Sequence, residues 1–184
     1  MSASALYPED RRSGIPHVGT VPWGTHFCQF YQSEKDLVEI LVPYFEAGLE
    51  DNEYCLWVAS GPLDVAVGVK ALEAAMPRLQ EHRRRGQIEV ISGEQWHARG
   101  GTPDDRVAAA LDLAMAKGFD GLRLSCPALG NEACTCLGVD PLRRCNIVAA
   151  FLYARDEFDA LALMEVVKNH RFALIRNAGK WEII

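Results

Sequence analysis

Six consecutive apolar residues, Tyr54–Ala59 (YCLWVA), constrain the fold of this chain more than any other feature of the sequence. A strand with one solvent-facing side alternates apolar and polar residues, whereas a continuous apolar run indicates a strand that is buried on both faces. Four more short β-prone runs lie at 25–31, 88–91, 121–125 and 147–153. The chain is therefore expected to form a central sheet that is covered on both sides.

Amphipathic helical segments alternate with these strands. Ser33 and Thr102 each precede a helical stripe, and their hydroxyl groups suit them to the N-cap position. Helices are predicted at 33–49, 65–85, 102–118 and about 156–169. The residues Asn177 to Lys180 separate two short β runs and predict a C-terminal hairpin. This order predicts an α/β three-layer sandwich with a mostly parallel central sheet and an antiparallel C-terminal edge.

The charge balance excludes several classes of partner. The 184 residues include 19 Lys and Arg against 25 Asp and Glu, so the formal net charge is −6. Nucleic acids and anionic membranes require a basic face, so neither is expected to bind directly. No apolar run reaches the roughly 20 residues of a membrane-spanning helix, and the N-terminus has no apolar signal segment. We expect a cytoplasmic protein with a flexible tail at 1–20 and a single domain at 21–184.

Four of the six cysteines are concentrated in one part of the sequence. Cys28 and Cys55 lie in predicted strands and are expected to be reduced core residues. The other four could hold zinc or iron, or act in redox sensing: Cys126, Cys134, Cys136 and Cys145. Their spacings of seven, one and eight residues differ from those of paired zinc knuckles, which favours free thiols. A cysteine-based metal or redox sensor is kept as the alternative hypothesis.

The glycine pattern disfavours nucleotide hydrolysis. The spacing from Gly14 to Gly19 matches a P-loop, but the phosphate-binding lysine is missing and the segment lies in the predicted tail. The turn after Tyr31, where a P-loop would be expected, contains no glycine. The five histidines form no recognisable catalytic motif, so no catalytic residue is assigned. An enzyme with an unrecognised site is kept only as a third hypothesis.

Aromatic side chains near the predicted strand ends indicate a small-molecule site. In open α/β sheets, ligands bind outside the carboxyl ends of the strands. Small-molecule sites are mainly apolar, with a few polar groups that orient the ligand. Trp57 lies inside the apolar run and is expected in the core. Tyr31, Trp96 and Tyr153 are the candidates for ligand contact.

Several blocks of sequence resemble the MEDS sensory domain family. They occur in the family's order and cover most of residues 21–184: WGTHFCQFY at 23–31, LVPYF at 41–45, AGLE at 47–50, GQIEVI at 86–91, KGFDGLRL at 117–124, NHRFALIR at 169–176 and GKWEII at 179–184. The resemblance implies a RecA/KaiC-like fold without a working P-loop. It also implies an input module of prokaryotic signal transduction that senses a small molecule, with hydrocarbon derivatives as a candidate class.

The resemblance also implies site residues and partners. With Trp96 included, the expected ligand-binding residues are His26, Tyr31, Trp96, Arg123, Tyr153 and His170. The segment 124–146 is shorter than is usual in the family. Because nothing follows Ile184, the output protein is expected to act in trans, as a histidine kinase, an anti-sigma factor or a transcriptional regulator. The leading hypothesis is a non-enzymatic sensory domain that needs no cofactor, and a homodimer is kept as an option.

Overall fold

A seven-stranded sheet forms the centre of the protein. The computed structural model describes residues 10–59, 61, 64–127 and 146–184. The strands are β1 Asp10–Arg12, β2 Thr20–Pro22, β3 His26–Tyr31, β4 Tyr54–Ala59, β5 Ile88–Ser92, β6 Leu122–Pro127, β7 Ile147–Ala154, β8 Ala173–Asn177 and β9 Lys180–Ile183. The helices are α1 Glu34–Glu50, α2 Val65–Ala75, α3 Leu79–Arg84, α4 Gly93–Ala98, α5 Pro103–Ala116 and α6 Ala160–Lys168.

The sheet has the strand order β5-β4-β6-β7-β3-β8-β9. Neighbouring strands pair in parallel except β8 and β9, which form an antiparallel hairpin at one edge. The hairpin turns at Ala178 and Gly179, which both have positive φ angles, 47° and 80°. This is the backbone geometry of a tight hairpin turn, which glycine adopts without strain. The predicted mostly parallel sheet and C-terminal hairpin are confirmed.

Helices cover both faces of the sheet, as the continuous apolar run in β4 predicts. Helices α1, α2 and α3 pack on one face, and α4, α5 and α6 pack on the other. All six residues of β4 are buried, and Trp57 stacks on Phe45 of α1 with 5.3 Å between ring centroids. The three-layer α/β sandwich is therefore confirmed. None of the helices in the described part of the chain is long and apolar enough to cross a membrane.

The predicted helix at 65–85 is wrong in its extent, because two helices occupy this stretch. Met76 adopts an extended backbone with φ −120° and ψ 97°. Pro77 explains the break, since a proline disfavours the helical conformation of the residue before it. The last helix also begins later than expected: a short 3-10 helix, Arg155–Glu157, precedes α6, and Asp159 caps its first turn. Helix α4, capped by Ser92, was not predicted.

The second half of the expected flexible tail is folded onto the domain. Strands β1 and β2 form an antiparallel ribbon, and Ile15 between them is buried in the core of the α1 face. Gly14 has φ +74° and lies against the backbone of Pro43, where a side chain would collide. A segment without apolar periodicity is ordered here because it packs against α1. Residues 1–9 of the expected tail lie outside the described residues.

A buried ion pair ties this ribbon to the sheet. Glu53, just before β4, and Arg123 in β6 have fully buried side chains and form a salt bridge. The Arg123 guanidinium also donates to the carbonyl oxygens of Ser13 at 3.2 Å, Tyr44 at 3.0 Å and Arg12 at 2.8 Å. These contacts satisfy the polar groups of a charge that has no access to water. The ion pair therefore joins β4, β6, α1 and the ribbon at the amino end of the sheet.

Removing one partner of this pair is expected to destabilise the fold. Arg123→Met leaves the Glu53 carboxylate buried without its main counter-ion, so the free energy of unfolding should fall by about 3–5 kcal/mol. Urea denaturation measures the change. The control is Arg12→Ala, because Arg12 pairs with Glu50 and Asp51 on the surface and should cost less than about 1 kcal/mol. Equal losses in the two variants would contradict the structural role of the pair.

Candidate ligand-binding site

Three of the predicted site residues come together between the sheet and α6. The ring of His170 lies 5.4 Å from that of His26 and 5.8 Å from that of Tyr153, centroid to centroid. Phe151 completes the group, with its ring centroid 5.5 Å from that of His170. We call these four residues the histidine–aromatic cluster. Its members come from the start of β3, from β7 and from the turn before β8, so the parallel pairing of these strands assembles it.

The hydrogen bonds of the two histidines define which ring nitrogens carry protons. His170 Nδ1 lies 2.8 Å from the carbonyl oxygen of Val166, and His26 Nε2 lies 2.9 Å from that of Asn169. A carbonyl oxygen only accepts, so each of these nitrogens donates. In the neutral rings, His26 Nδ1 and His170 Nε2 are then the acceptors. His26 Nδ1 is buried and makes no hydrogen bond in the described part of the chain.

Burial keeps His170 neutral at physiological pH. Its surroundings lower the pKa of His170 to about 4, mainly because burial disfavours the imidazolium form. The hydrogen bond to Val166 opposes this effect, and the nearby His26 adds to it. The cluster therefore contains one buried acceptor nitrogen without a hydrogen bond in the described chain, His26 Nδ1, within an aromatic environment. This arrangement suits a ligand with a donor group and a small apolar part.

Helix α6 covers the cluster with few core contacts. Asp159 caps its first turn by accepting from the Ala162 N–H at 2.9 Å. Val166 is the one buried residue of this helix. Its outer side carries Leu161 and Met164, whose side chains are 75% and 56% exposed. Helix α6 is therefore held less firmly than α1, in which ten residues are buried.

Tyr31 lies apart from the cluster, at the carboxyl end of β3. Alternation along the strand places it on the face of α1, whereas Phe30 pairs with Tyr153 on the face of α6. A methyl group at Gly61 would lie 3.2 Å from the Tyr31 hydroxyl, so this oxygen contacts the segment after β4. Burial raises the pKa of Tyr31, and the charge of Glu157 adds to this effect. Tyr31 thus marks a second candidate position, at the carboxyl end of the strands, where ligands of open α/β folds bind.

The position of a P-loop, between β3 and α1, is occupied by the chain's own carboxylate. Asp36 accepts hydrogen bonds from the Gln32 N–H at 3.0 Å and from Arg176 at 2.6 Å. Burial alone would raise the pKa of Asp36, but Arg176 and the Gln32 N–H lower it overall. A negative charge at this helix start disfavours a phosphate. The turn therefore lacks both the glycines and the electrostatics of a P-loop.

Arg123 and Trp96 do not join the other predicted residues. Arg123 lies at the amino end of the sheet, where its guanidinium contacts Glu53 and three backbone carbonyl oxygens. Trp96 of α4 is buried, and its ring lies 5.7 Å and 5.4 Å from the guanidinium carbons of Arg99 and Arg106. The structure thus places both in packing roles. The reason is that a sequence motif locates a side chain along the chain without revealing its partners.

The structure describes one of the four cysteines of the alternative hypothesis. Cys126 is half-buried at the end of β6, whereas Cys134, Cys136 and Cys145 lie outside the described residues. Within the described ranges, no group of three His, Cys, Asp or Glu residues is arranged to hold a metal ion. A zinc or iron site at these cysteines stays a prediction.

Sequence reasoning missed Phe151, although a signal for it was present. In a strand with period-2 alternation, Phe151 shares a face with Tyr153, which was a candidate. The carbonyl oxygens of Val166 and Asn169, which set the histidine tautomers, had no signal. The sequence predicts the end of this helix at about 169, but not that His26 in β3 reaches the carbonyl oxygen of Asn169 there.

Comparison with solved structures identifies the fold class as KaiC-like. The KaiC-like protein PH0186 from the hyperthermophilic archaeon Pyrococcus horikoshii OT3 matches with a TM-score of 0.59 and 14% identity, over 96% of this chain and 86% of that chain. The flagellar accessory protein FlaH from Methanocaldococcus jannaschii matches with a TM-score of 0.57 and 9% identity, over 90% of this chain and 78% of that chain. At these identities the likeness establishes the fold alone.

The family is established by a family model. The model of the methanogen/methylotroph DcmR sensory domain, MEDS, matches residues 25–129. This range is more than half of the chain, so the protein belongs to the MEDS family, as the sequence blocks indicated. A search of curated proteins found no match.

Protonation of His170 should make the protein acid-sensitive. Its pKa of about 4 in the folded state lies below the value of 6.5 for a free side chain, so the unfolded state binds the proton more readily. Stability is therefore lost as the pH falls from about 6.5 towards 4, by about 2 kcal/mol at pH 5. Denaturation at pH 7 and pH 5 measures this loss. His170→Asn, which can still donate to Val166, should lack that component.

The control for this prediction is His97→Asn, because His97 is exposed on α4. It should keep the acid sensitivity of the unaltered protein. If His170→Asn and the unaltered protein lose the same stability between pH 7 and pH 5, the neutral buried His170 is refuted.

Proposed function

We propose that this protein is a non-enzymatic sensory domain that binds a small molecule at the histidine–aromatic cluster and signals by contact with a partner protein. Membership of a sensory domain family supports the general role. The observation that carries the proposal is the pairing of two imidazoles 5.4 Å apart, one of which holds a buried nitrogen without a hydrogen-bond partner in the described chain. An unsatisfied buried polar atom costs free energy, and a ligand donor would relieve that cost.

The proposed ligand is small and amphiphilic. A hydroxyl or amine group would donate to His26 Nδ1, and a short apolar part would contact Phe151 and Tyr153. Small alcohols and amines have both features, and they are compatible with the hydrocarbon derivatives that the sequence resemblance implies. An anion is disfavoured, because the neutral His170 offers it no positive charge and the aromatic rings would desolvate it.

Helix α6 is the proposed output element. The ring of Phe158, just before the Asp159 cap, lies 5.5 Å from that of Tyr153, and His170 follows the Asn169 cap at the other end. A ligand that moves either cluster residue would therefore act on a segment that flanks α6. A ligand shifts an equilibrium only through different affinities for two states, and a helix with one buried residue can change position at low cost. The exposed Leu161 and Met164 would then meet the partner, for which a histidine kinase, an anti-sigma factor and a transcriptional regulator are the candidate classes.

Ligand binding is tested by NMR titration of the protein with ethanol, 1-butanol and butylamine as probes. At least one probe should shift signals of the cluster saturably. His26→Phe should weaken its binding about five- to tenfold, the effect of one lost hydrogen bond. His97→Phe is the control on an exposed histidine.

Tyr31→Phe separates the two candidate places. Because Tyr31 lies on the opposite face of the sheet, this variant should bind the probes as the unaltered protein does. The proposal fails if no probe binds saturably, or if Tyr31→Phe weakens binding while His26→Phe does not.

The output role of α6 predicts a change in hydrogen exchange. When the bound probe is added at saturation, the amides of α6 should exchange more slowly, because the ligand adds contacts to a loosely held helix. Exchange in α1 should stay unchanged, since ten of its residues are already buried. Mass spectrometry of peptic fragments measures both helices in one experiment. Slower exchange in α1 without a change in α6 would contradict this assignment.

A further inference from the structure

A cleft of about 570 Å³ lies on the α1 side of the sheet, away from the histidine–aromatic cluster. One side is formed by the last turns of α1. The other side is formed by α3 and by the residues that connect α2 to α3. Leu49 and Met76, both buried, and the neighbouring Pro77 form its apolar part. This volume lies in the range of small-molecule sites, which are roughly 300–1,000 Å³.

The two walls of the cleft carry opposite charges. Helix α1 contributes the carboxylates of Glu46 and Glu50, and the other wall contributes the guanidinium groups of Arg78 and Arg85, with His82 beside them. Glu50 pairs with Arg12 at 3.1 Å and Arg78 pairs with Glu81 at 2.9 Å. Glu46 and Arg85 have no ion pair within the part of the chain that the structure describes. The cleft therefore presents one unpaired carboxylate and one unpaired guanidinium on facing elements.

A buried amide group orients the ring of His82, which lines the cleft. Gln87 is fully buried, and its NH2 group donates to the carbonyl oxygens of Leu49 at 2.9 Å and Glu53 at 3.1 Å. Its Oε1 must then accept from His82 Nδ1, 2.8 Å away. Nδ1 of His82 therefore carries a proton, because the amide oxygen of Gln87 only accepts. This arrangement orients a lining side chain through a buried partner, as built binding sites do.

We propose that this cleft binds a zwitterionic amino acid with an apolar side chain. Its ammonium group would pair with Glu46 and its carboxylate with Arg85, while the side chain would contact Leu49 and Met76. A singly charged ligand would satisfy one wall and be repelled by the other, because the walls differ in sign. The site is separate from the histidine–aromatic cluster, so this proposal goes beyond the proposed function and does not depend on it.

The test uses L-valine and two probes that each lack one of its charges. Isovalerate keeps the carboxylate and branched chain, and isobutylamine keeps the ammonium group and branched chain. Isothermal calorimetry and NMR titration should detect saturable binding of L-valine, and both singly charged probes should bind at least tenfold more weakly. Glu46→Gln and Arg85→Gln should each weaken L-valine binding about tenfold.

Matched variants make the result specific. Arg84→Gln is the control for Arg85→Gln, because Arg84, the last residue of α3, is the exposed neighbour of Arg85 and does not line the cleft. It should bind L-valine unchanged, and so should His26→Phe, which alters the other site. The proposal is overturned if L-valine does not bind saturably, if isovalerate or isobutylamine binds equally well, or if Arg84→Gln has the effect of Arg85→Gln.

Discussion

The buried pair of Glu53 and Arg123 is the interaction on which the arrangement of the protein depends. Two opposite charges without solvent contact are tolerated only when their remaining donors and acceptors are satisfied. Arg123 meets this condition through carbonyl oxygens of Arg12, Ser13 and Tyr44, and Arg11 adds a second partner for Glu53 at 2.8 Å. The pair therefore sets how the N-terminal ribbon and α1 sit on the sheet. It also requires a glycine at position 48, where a side chain would collide with Arg123.

This constraint makes the two faces of the sheet unequal. On the α1 face, the Tyr44 hydroxyl lies within hydrogen-bond distance of carbonyl oxygens in β6 and β7, which adds polar contacts to an extensive apolar core. On the other face, α6 contributes only Val166 as a buried residue. Functional elements that move are drawn from the less stable parts of a structure. This difference supports the proposal that the face that carries His26 and His170 responds to a ligand, with the α1 face as its rigid support.

The layers and the sheet were predictable from the sequence. It was not predictable that three of the six expected site residues lie together and the other three lie elsewhere. Continuous apolar runs and the caps at Ser33 and Thr102 were sufficient to predict the three-layer fold, because a strand that is buried on both faces has an uninterrupted apolar sequence. The break at Pro77 was missed because the apolar spacing continues across it. The order of the ribbon and the role of Arg123 depend on contacts between distant segments, which no local pattern records. His26 and His170 were found by family resemblance, and their contact follows only from the pairing of β3 with β8.

The proposed site depends on a neutral His170 and on the acceptor nitrogen Nδ1 of His26 beside it. The most direct test is the protonation state of each ring nitrogen. Long-range ¹H–¹⁵N correlation spectra of the histidine side chains at pH 7 measure it. We predict that His170 is neutral with its proton on Nδ1 and that His26 carries its proton on Nε2. An imidazolium signal for His170, or the reversed tautomer for either ring, would contradict the proposed site.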